Sequence, residues 1–142
     1  MLKGISEKIS PELLKTIMEM GHGDEILFGD GNFPAESQGV KVVRCDGNTV
    51  CELLEAILPL FPLDQYSSPQ VFLMEKVPGD TIETPIWDEY KKIIKKYEPE
   101  AEIGFIERFA YYDRAKTVFA VVTTSEKAQY ANVILKKGVV KL

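Results

Sequence analysis

Six short runs rich in Val, Ile, Leu and Phe, at residues 25–29, 41–45, 70–76, 102–107, 118–123 and 132–136, alternate with segments of helical periodicity. Runs of this length and composition predict strands. Ser10 reads as an N-cap, with Pro11 at the first helical position and Glu12 in the first turn. Leu13, Leu14, Ile17 and Met18 then share a face, and Gly21 is the stop. Thr49-Val50-Cys51-Glu52 has capping-box spacing ahead of Leu53, Leu54, Ile57 and Leu58. Thr84-Pro85 opens another amphipathic segment, carrying Trp87, Tyr90, Ile93, Ile94 and Tyr97. Such alternation predicts an α/β fold, a sheet covered by helices on both faces. The link from Thr123 to Asn132 spans roughly nine residues, short of the dozen or more that a parallel crossover needs. A six-stranded mixed, mostly parallel sheet is therefore expected.

With 142 residues, 45% hydrophobic and 27% charged, and no repeat or low-complexity stretch, the chain is expected to form a single domain over residues 1–142. Its 17 Lys+Arg against 22 Asp+Glu give a net charge of −5, and only Lys91-Lys92 and Lys95-Lys96 concentrate basic charge. A nucleic-acid partner is therefore not expected. No run approaches the roughly 18 apolar residues of a membrane span, and residues 1–21 hold no continuous apolar stretch ahead of a small-residue cleavage site. No membrane partner and a cytoplasmic location are the corresponding expectations. Cys45 and Cys51, with a single histidine in the chain, cannot assemble a Cys/His zinc site and read as reduced, buried thiols; no metal is expected.

Polar residues are concentrated at both ends of the first strand. Gly21-His22-Gly23-Asp24-Glu25 precedes it and Gly29-Asp30-Gly31-Asn32-Phe33-Pro34 follows it. An imidazole in an accessible glycine-flanked loop can give and take protons near neutral pH, although a surface histidine without a role has the same signature. Asp30 between two glycines suits close approach of a ligand to the backbone, or simply a turn. Neither GxGxxG nor GxxxxGK[ST] occurs, and Pro34 interrupts any helix that would present its N-terminus to a phosphate, so no nucleotide cofactor is expected. Covalent catalysis has no visible candidate, GxSxG being absent. A third cluster joins Arg108-Phe109-Ala110-Tyr111-Tyr112-Asp113-Arg114 to Tyr130-Ala131-Asn132. These residue types hydrogen-bond sugar hydroxyls and stack on sugar rings. The alternative is that Arg108 pairs with Glu107 or Asp113 while Tyr111 and Tyr112 divide between core and rim.

Taken together, Leu2-Lys3-Gly4-Ile5-Ser6, Ile9-Ser10-Pro11-Glu12-Leu13-Leu14, Met20-Gly21-His22-Gly23-Asp24-Glu25-Ile26, Asp30 with Asn32-Phe33-Pro34-Ala35, Arg108-Phe109-Ala110-Tyr111-Tyr112 and Tyr130-Ala131-Asn132 to Leu135-Lys136-Lys137-Gly138-Val139 resemble the ribose pyranase and fucose mutarotase family. The resemblance keeps order and spacing from the first residues to the last. It implies a three-layer α/β/α sandwich, cofactor-free interconversion of the anomers of L-fucose, and ring-based homodecamers with sites near subunit boundaries. It also implies that His22 is the proton donor, that Asp30 and Arg108 bind substrate, and that Tyr130, Ala131 and Asn132 line the sugar site. Arginine at 108, where the ribose branch usually has histidine, favours the fucose branch. Ribose pyranase activity and a non-catalytic, sugar-binding transport-accessory role are the competing readings.

Geometry adds a constraint. A straight strand over residues 25–29, rising about 3.3 Å per residue, would place His22 and Asp30 on the order of 20 Å apart. Either the chain folds back at Gly23 or Gly29, or the two residues serve one sugar from different subunits.

Overall fold

A computed structural model describes all residues, Met1–Leu142. In chain order the elements are α1 (Pro11–Glu19), β1 (Glu25–Gly29), a 3₁₀ turn (Ala35–Gln38), β2 (Lys41–Arg44), α2 (Val50–Ile57), β3 (Val71–Met74), α3 (Pro85–Tyr97), β4 (Ile103–Ile106), α4 (Arg108–Ala115), β5 (Ala120–Thr123) and β6 (Val133–Lys136). All six expected strands are present, most trimmed at their ends. They form one sheet in the order β2-β5-β1-β6-β3-β4. The β1–β5, β2–β5 and β3–β4 pairs are parallel, whereas β6 runs antiparallel to both β1 and β3. The short link into β6 thus has the expected consequence, a single reversed strand in an otherwise parallel sheet. No helix is long and apolar enough to cross a membrane.

Strand alternation divides the core in two. Ile26, Phe28, Val71, Leu73, Ala120, Val122, Val133 and Leu135 point into a large cluster with side chains of α1, α2 and α3. Leu27, Phe72, Met74, Val121 and Ile134 point the other way, against Tyr111 and Ala115 of α4 and Ala35 of the 3₁₀ turn. The result is the expected three layers, thick on one face and thin on the other. Arg114 fastens the thin layer: its guanidinium lies 3.9 Å from the Phe72 ring centroid and bonds both carboxylate oxygens of Glu25 at 3.0 and 2.5 Å.

Local signals explain most boundaries. Ser10 Oγ accepts from Leu13 N at 3.1 Å, and Thr49 with Glu52 forms a reciprocal capping box, at 3.2 and 2.8 Å. Thr84 precedes α3 without a side-chain capping bond. Met18 departs from expectation: it is 77% exposed, and the buried stripe of α1 is Leu13, Thr16 and Ile17. Thr16 tolerates burial because its hydroxyl donates to Glu12 O at 2.8 Å. Helix α4 was not expected either, because only Tyr111 and Ala115 in it are buried and its apolar periodicity is weak. The Glu107 carboxylate starts it, accepting from Phe109 N and Ala110 N at 2.9 and 3.0 Å. Both cysteines are free, Cys45 buried and Cys51 only half-buried. Replacing Thr49 by Ala removes the cap and should cost about 1 kcal/mol of stability, read as a lowered urea midpoint at unchanged slope.

Candidate active site

The carboxyl ends of the parallel strands gather five of the sequence-predicted residues at one edge of the sheet, where open α/β sheets bind ligands. Asp30 follows β1, Arg108 follows β4, and Tyr130, Ala131 and Asn132 lead into β6. Asp30 and Asn132 meet directly, since Asp30 N donates to Asn132 Oδ1 at 2.8 Å. That bond occupies the amide oxygen and leaves the Asn132 Nδ2 donors without a partner in the chain. Asp30 Oδ1 accepts from Asn32 N at 2.9 Å. Burial raises the Asp30 carboxyl above the ordinary range, the amides of Asn32 and Phe33 offsetting part of the effect. Gly29 is required beside it, because a Cβ there would lie 2.8 Å from the Phe33 Cβ.

The segment before β6 is pinned from the helical side. Trp87 Nε1 donates to Tyr130 O at 2.8 Å, and the buried Tyr90 hydroxyl donates to Ala131 O at 2.7 Å. Tyr130 sits in the left-handed region, with φ 56°, a conformation that such anchoring can hold. Its hydroxyl is fully used as well, donating to Asp80 Oδ2 at 2.6 Å and accepting from Val77 N at 3.1 Å. Tyr130 therefore ties the loop after β3 to the rim and offers a ring face rather than a free hydroxyl. Arg108 makes no ion pair with Glu107 or Asp113; its guanidinium lies 4.5 Å from the Phe109 ring centroid, exposed. Tyr111 is fully buried and Tyr112 half-buried, the division between core and rim considered above.

His22 is elsewhere. It precedes β1, which runs unbroken through residues 25–29 and is paired on both sides. The chain does turn at His22–Gly23, where Asp24 N donates to Gly21 O at 3.2 Å and Gly23 has φ 88°, but the turn seats this loop against Lys137, with Gly23 N donating to Lys137 O at 2.8 Å, and not back toward Asp30. The register places Glu25 opposite Lys136 and Phe28 opposite Val133, with His22 beyond one end and Asp30 beyond the other. The five residues of β1, rising about 3.3 Å each, by themselves hold the two ends roughly 15 Å apart.

At its own end His22 has a partner that sequence reading missed. His22 Nε2 lies 2.8 Å from Asp64 Oδ1, and Asp64 is 3% exposed. Burial opposes ionisation of Asp64, yet the Ser67 hydroxyl, the Tyr66 amide and His22 outweigh it and hold the carboxyl well below the usual range. Ser67 Oγ donates to Oδ2 at 2.5 Å, Tyr66 N donates to Oδ1 at 3.1 Å, and Lys136 Nζ stands 3.6 Å from Oδ2. Asp64 gave no signal because it is a lone carboxylate in the loop between α2 and β3, more than forty residues from its partner. No group of three or more His, Cys, Asp and Glu is arranged to hold a metal ion.

With the geometry in place, comparison supplies the class. Residues 3–140 match the model of the RbsD / FucU transport protein family, and the chain belongs to that family. It is similar to the fucose mutarotase of Streptococcus pneumoniae, solved in complex with L-fucose: 46% identity, TM-score 0.92, covering 99% of this chain and 100% of that one. It is also similar to FucU of Bifidobacterium longum, at 55% identity and TM-score 0.95 over 98% of this chain and 100% of that one. RbsD of Bacillus subtilis, solved with D-ribose, shares the fold at 21% identity and TM-score 0.74, over 99% of this chain and 100% of that one.

A carboxyl whose folded pKa lies below its unfolded value stabilises the fold fully above the unfolded value, and loses that contribution as pH falls through the folded one. Asp64 belongs to this case. The stability gap between wild type and Asp64→Asn in urea unfolding should therefore be full near neutral pH and narrow as pH falls below about 4. A gap that stays constant or widens down to about pH 2.5 would show that the carboxylate is not held ionised by these bonds.

Proposed function

We propose that this protein is an L-fucose mutarotase, a cofactor-free isomerase that interconverts the α and β anomers of the sugar. The observation that carries this is the likeness over 99% of the chain, at 46% identity, to a fucose mutarotase solved with L-fucose. The residues fit the chemistry. A proton reaches the ring oxygen while the anomeric hydroxyl loses one, and its O–H electron pair becomes the carbonyl bond as the C1–ring-oxygen bond breaks. The aldehyde carbon rotates, and the hydroxyl closes on its other face with the protons returned. Nothing is oxidised or reduced, and one positioned acid–base group supplies about 10²- to 10⁴-fold.

In this reading His22 donates and recovers the proton, Asp30 and Arg108 hold sugar hydroxyls, and Tyr130, Ala131 and Asn132 line the sugar. The free Asn132 donors, the open guanidinium of Arg108 and the unoccupied Asp30 Oδ2 support those assignments. The opposite-end placement of His22 and Asp30 supports a site completed by a second copy of the chain, His22 of one facing Asp30 of the next. A homodecamer and a cytoplasmic location belong to the same proposal. Ribose pyranase activity gains less support, the ribose-bound relative being the more distant one.

Saturation-transfer NMR should show accelerated anomer exchange of L-fucose, unaffected by EDTA. His22→Ala should abolish exchange while L-fucose still binds; a wild-type protein that binds without accelerating exchange would make it a sugar-binding accessory instead. Mixing His22→Ala with Asp30→Ala under conditions of subunit exchange should restore part of the activity, and no recovery despite exchange rejects the shared site. Arg108→Ala removes charged hydrogen bonds and should weaken fucose binding by about 1–3 kcal/mol; unchanged affinity would leave Arg108 without a role in binding.

A further inference from the structure

Tyr130 is held at both ends. Its backbone is fixed by the Trp87 indole on its own carbonyl and by the Tyr90 hydroxyl on that of Ala131, at 2.8 and 2.7 Å. Its hydroxyl is gripped by a single turn. Val77-Pro78-Gly79-Asp80 has proline and glycine at the two central positions, Gly79 at φ 87° and Asp80 N donating to Val77 O at 2.9 Å, which fits a type II turn. Val77 N and Asp80 Oδ2, at the two ends of that turn, are the two partners of the Tyr130 hydroxyl, at 3.1 and 2.6 Å. Their roles are fixed, because an amide N–H only donates and a carboxylate only accepts. The second Asp80 oxygen accepts from Ile82 N at 3.0 Å, which orients the carboxylate.

These two bonds hold more than one side chain. Glu75 N donates to Ile106 O at 2.8 Å, the last hydrogen bond of the chain leaving β3, and α3 begins at Pro85. Between them, across residues 76–83, the only hydrogen bonds to another part of the chain are the two made to the Tyr130 hydroxyl. Lys76 adds a contact of another kind, its ammonium lying 5.4 Å from the Trp87 ring centroid. The turn and the tyrosine therefore order each other.

We propose that Asp80 is the positioning residue of Tyr130: its carboxylate clamps the turn after β3 onto the hydroxyl, fixes the ring at the rim before the sugar arrives, and so sets sugar affinity. This rests on the reading above, in which Tyr130 lines the sugar. Asp80 touches no substrate. A ring already ordered loses no rotamer freedom when it is covered, so the clamp acts on binding. His22 shares no bond with this turn, and the proton transfers do not depend on it.

Trp87 is the single tryptophan of the chain, and it bonds Tyr130 and faces Lys76, so its fluorescence reports this corner alone. Asp80→Ala should raise KM for L-fucose anomer exchange about 3- to 10-fold with kcat within about twofold, and should raise the L-fucose Kd read from Trp87 emission by the same factor. Tyr130→Phe keeps the ring and removes the hydroxyl; it should give the same change, and the double variant should be no worse than either single one. If Asp80→Ala does not fold, Asp80→Asn, which trades one acceptor for an N–H, takes its place with the same expectation. Wild-type KM and Kd in the Asp80 variant overturn the proposal, and so does an equal loss in kcat, the mark of a merely structural role. A loss confined to Tyr130→Phe also overturns it, since the hydroxyl would then meet the sugar itself. Wild-type protein that binds L-fucose without accelerating exchange refutes the mutarotase reading, while the comparison of Kd values still decides the role of Asp80.

Discussion

Strand β6 sets the geometry on which both polar clusters depend. It is the only antiparallel strand, buried through Val133, Ile134 and Leu135 and hydrogen-bonded to β1 on one side and β3 on the other. At its start Asn132 takes the Asp30 amide; at its end Lys136 bonds Ser67, and Lys137 N donates to Asp24 O. A strand paired on both sides cannot shorten or bend without losing ladder bonds, and a one-residue slip would exchange the side chains it presents to the two halves of the core. The length of β6 therefore fixes the distance between the Asp30 end and the His22 end. This is why no local loop adjustment brings the two together.

The two carboxylates at those ends are tuned in opposite directions, although it is Asp64 that is buried from solvent and Asp30 only half-buried. Asp64 is surrounded by donors, and their bonds to its charged form exceed the desolvation cost, which keeps it an anion beside His22. Asp30 has only amide donors to offset its burial and a like charge, Glu126, nearby, so its carboxyl is raised. The difference lies in the partners. One is a fixed anion suited to orienting a ring, and the other keeps an unoccupied oxygen for a ligand.

Much of this was legible in the sequence where a local physical rule operates. The Ser10 and Thr49 caps, the six β-branched runs and the reversal of β6 each follow from spacing within a dozen residues. Legibility failed where long-range contacts decide. Helix α4 is held by Glu107 and by Arg114 reaching Glu25, not by an apolar stripe, so periodicity could not announce it. Met18 fits the apolar face of α1 by spacing, yet nothing in the chain covers it. The carboxylate that pairs with His22 is Asp64, distant in sequence and without a motif. Tyr130 was expected to line the sugar site, but that Val77 and Asp80 already occupy its hydroxyl was visible only in three dimensions.

If a sugar is held between His22 of one copy and Asp30 of another, two different surfaces of the chain meet, and the contact is head-to-tail rather than two-fold. An open array built by such a contact leaves one unused half-site at each of its two ends until the rotation closes it into a ring. A closed ring therefore completes every site, whereas an isolated chain completes none. The apolar groups exposed near the two clusters fit that arrangement: Tyr66, 68% exposed, packs on His22, and Phe109, 65% exposed, packs on Arg108. Covering those rings would also remove water from the two polar groups beside them, strengthening their hydrogen bonds to the sugar. Assembly and chemistry would then draw on the same surfaces, and that arrangement would account for aromatic side chains standing in the open at the two places where a monomer gains nothing from exposing them.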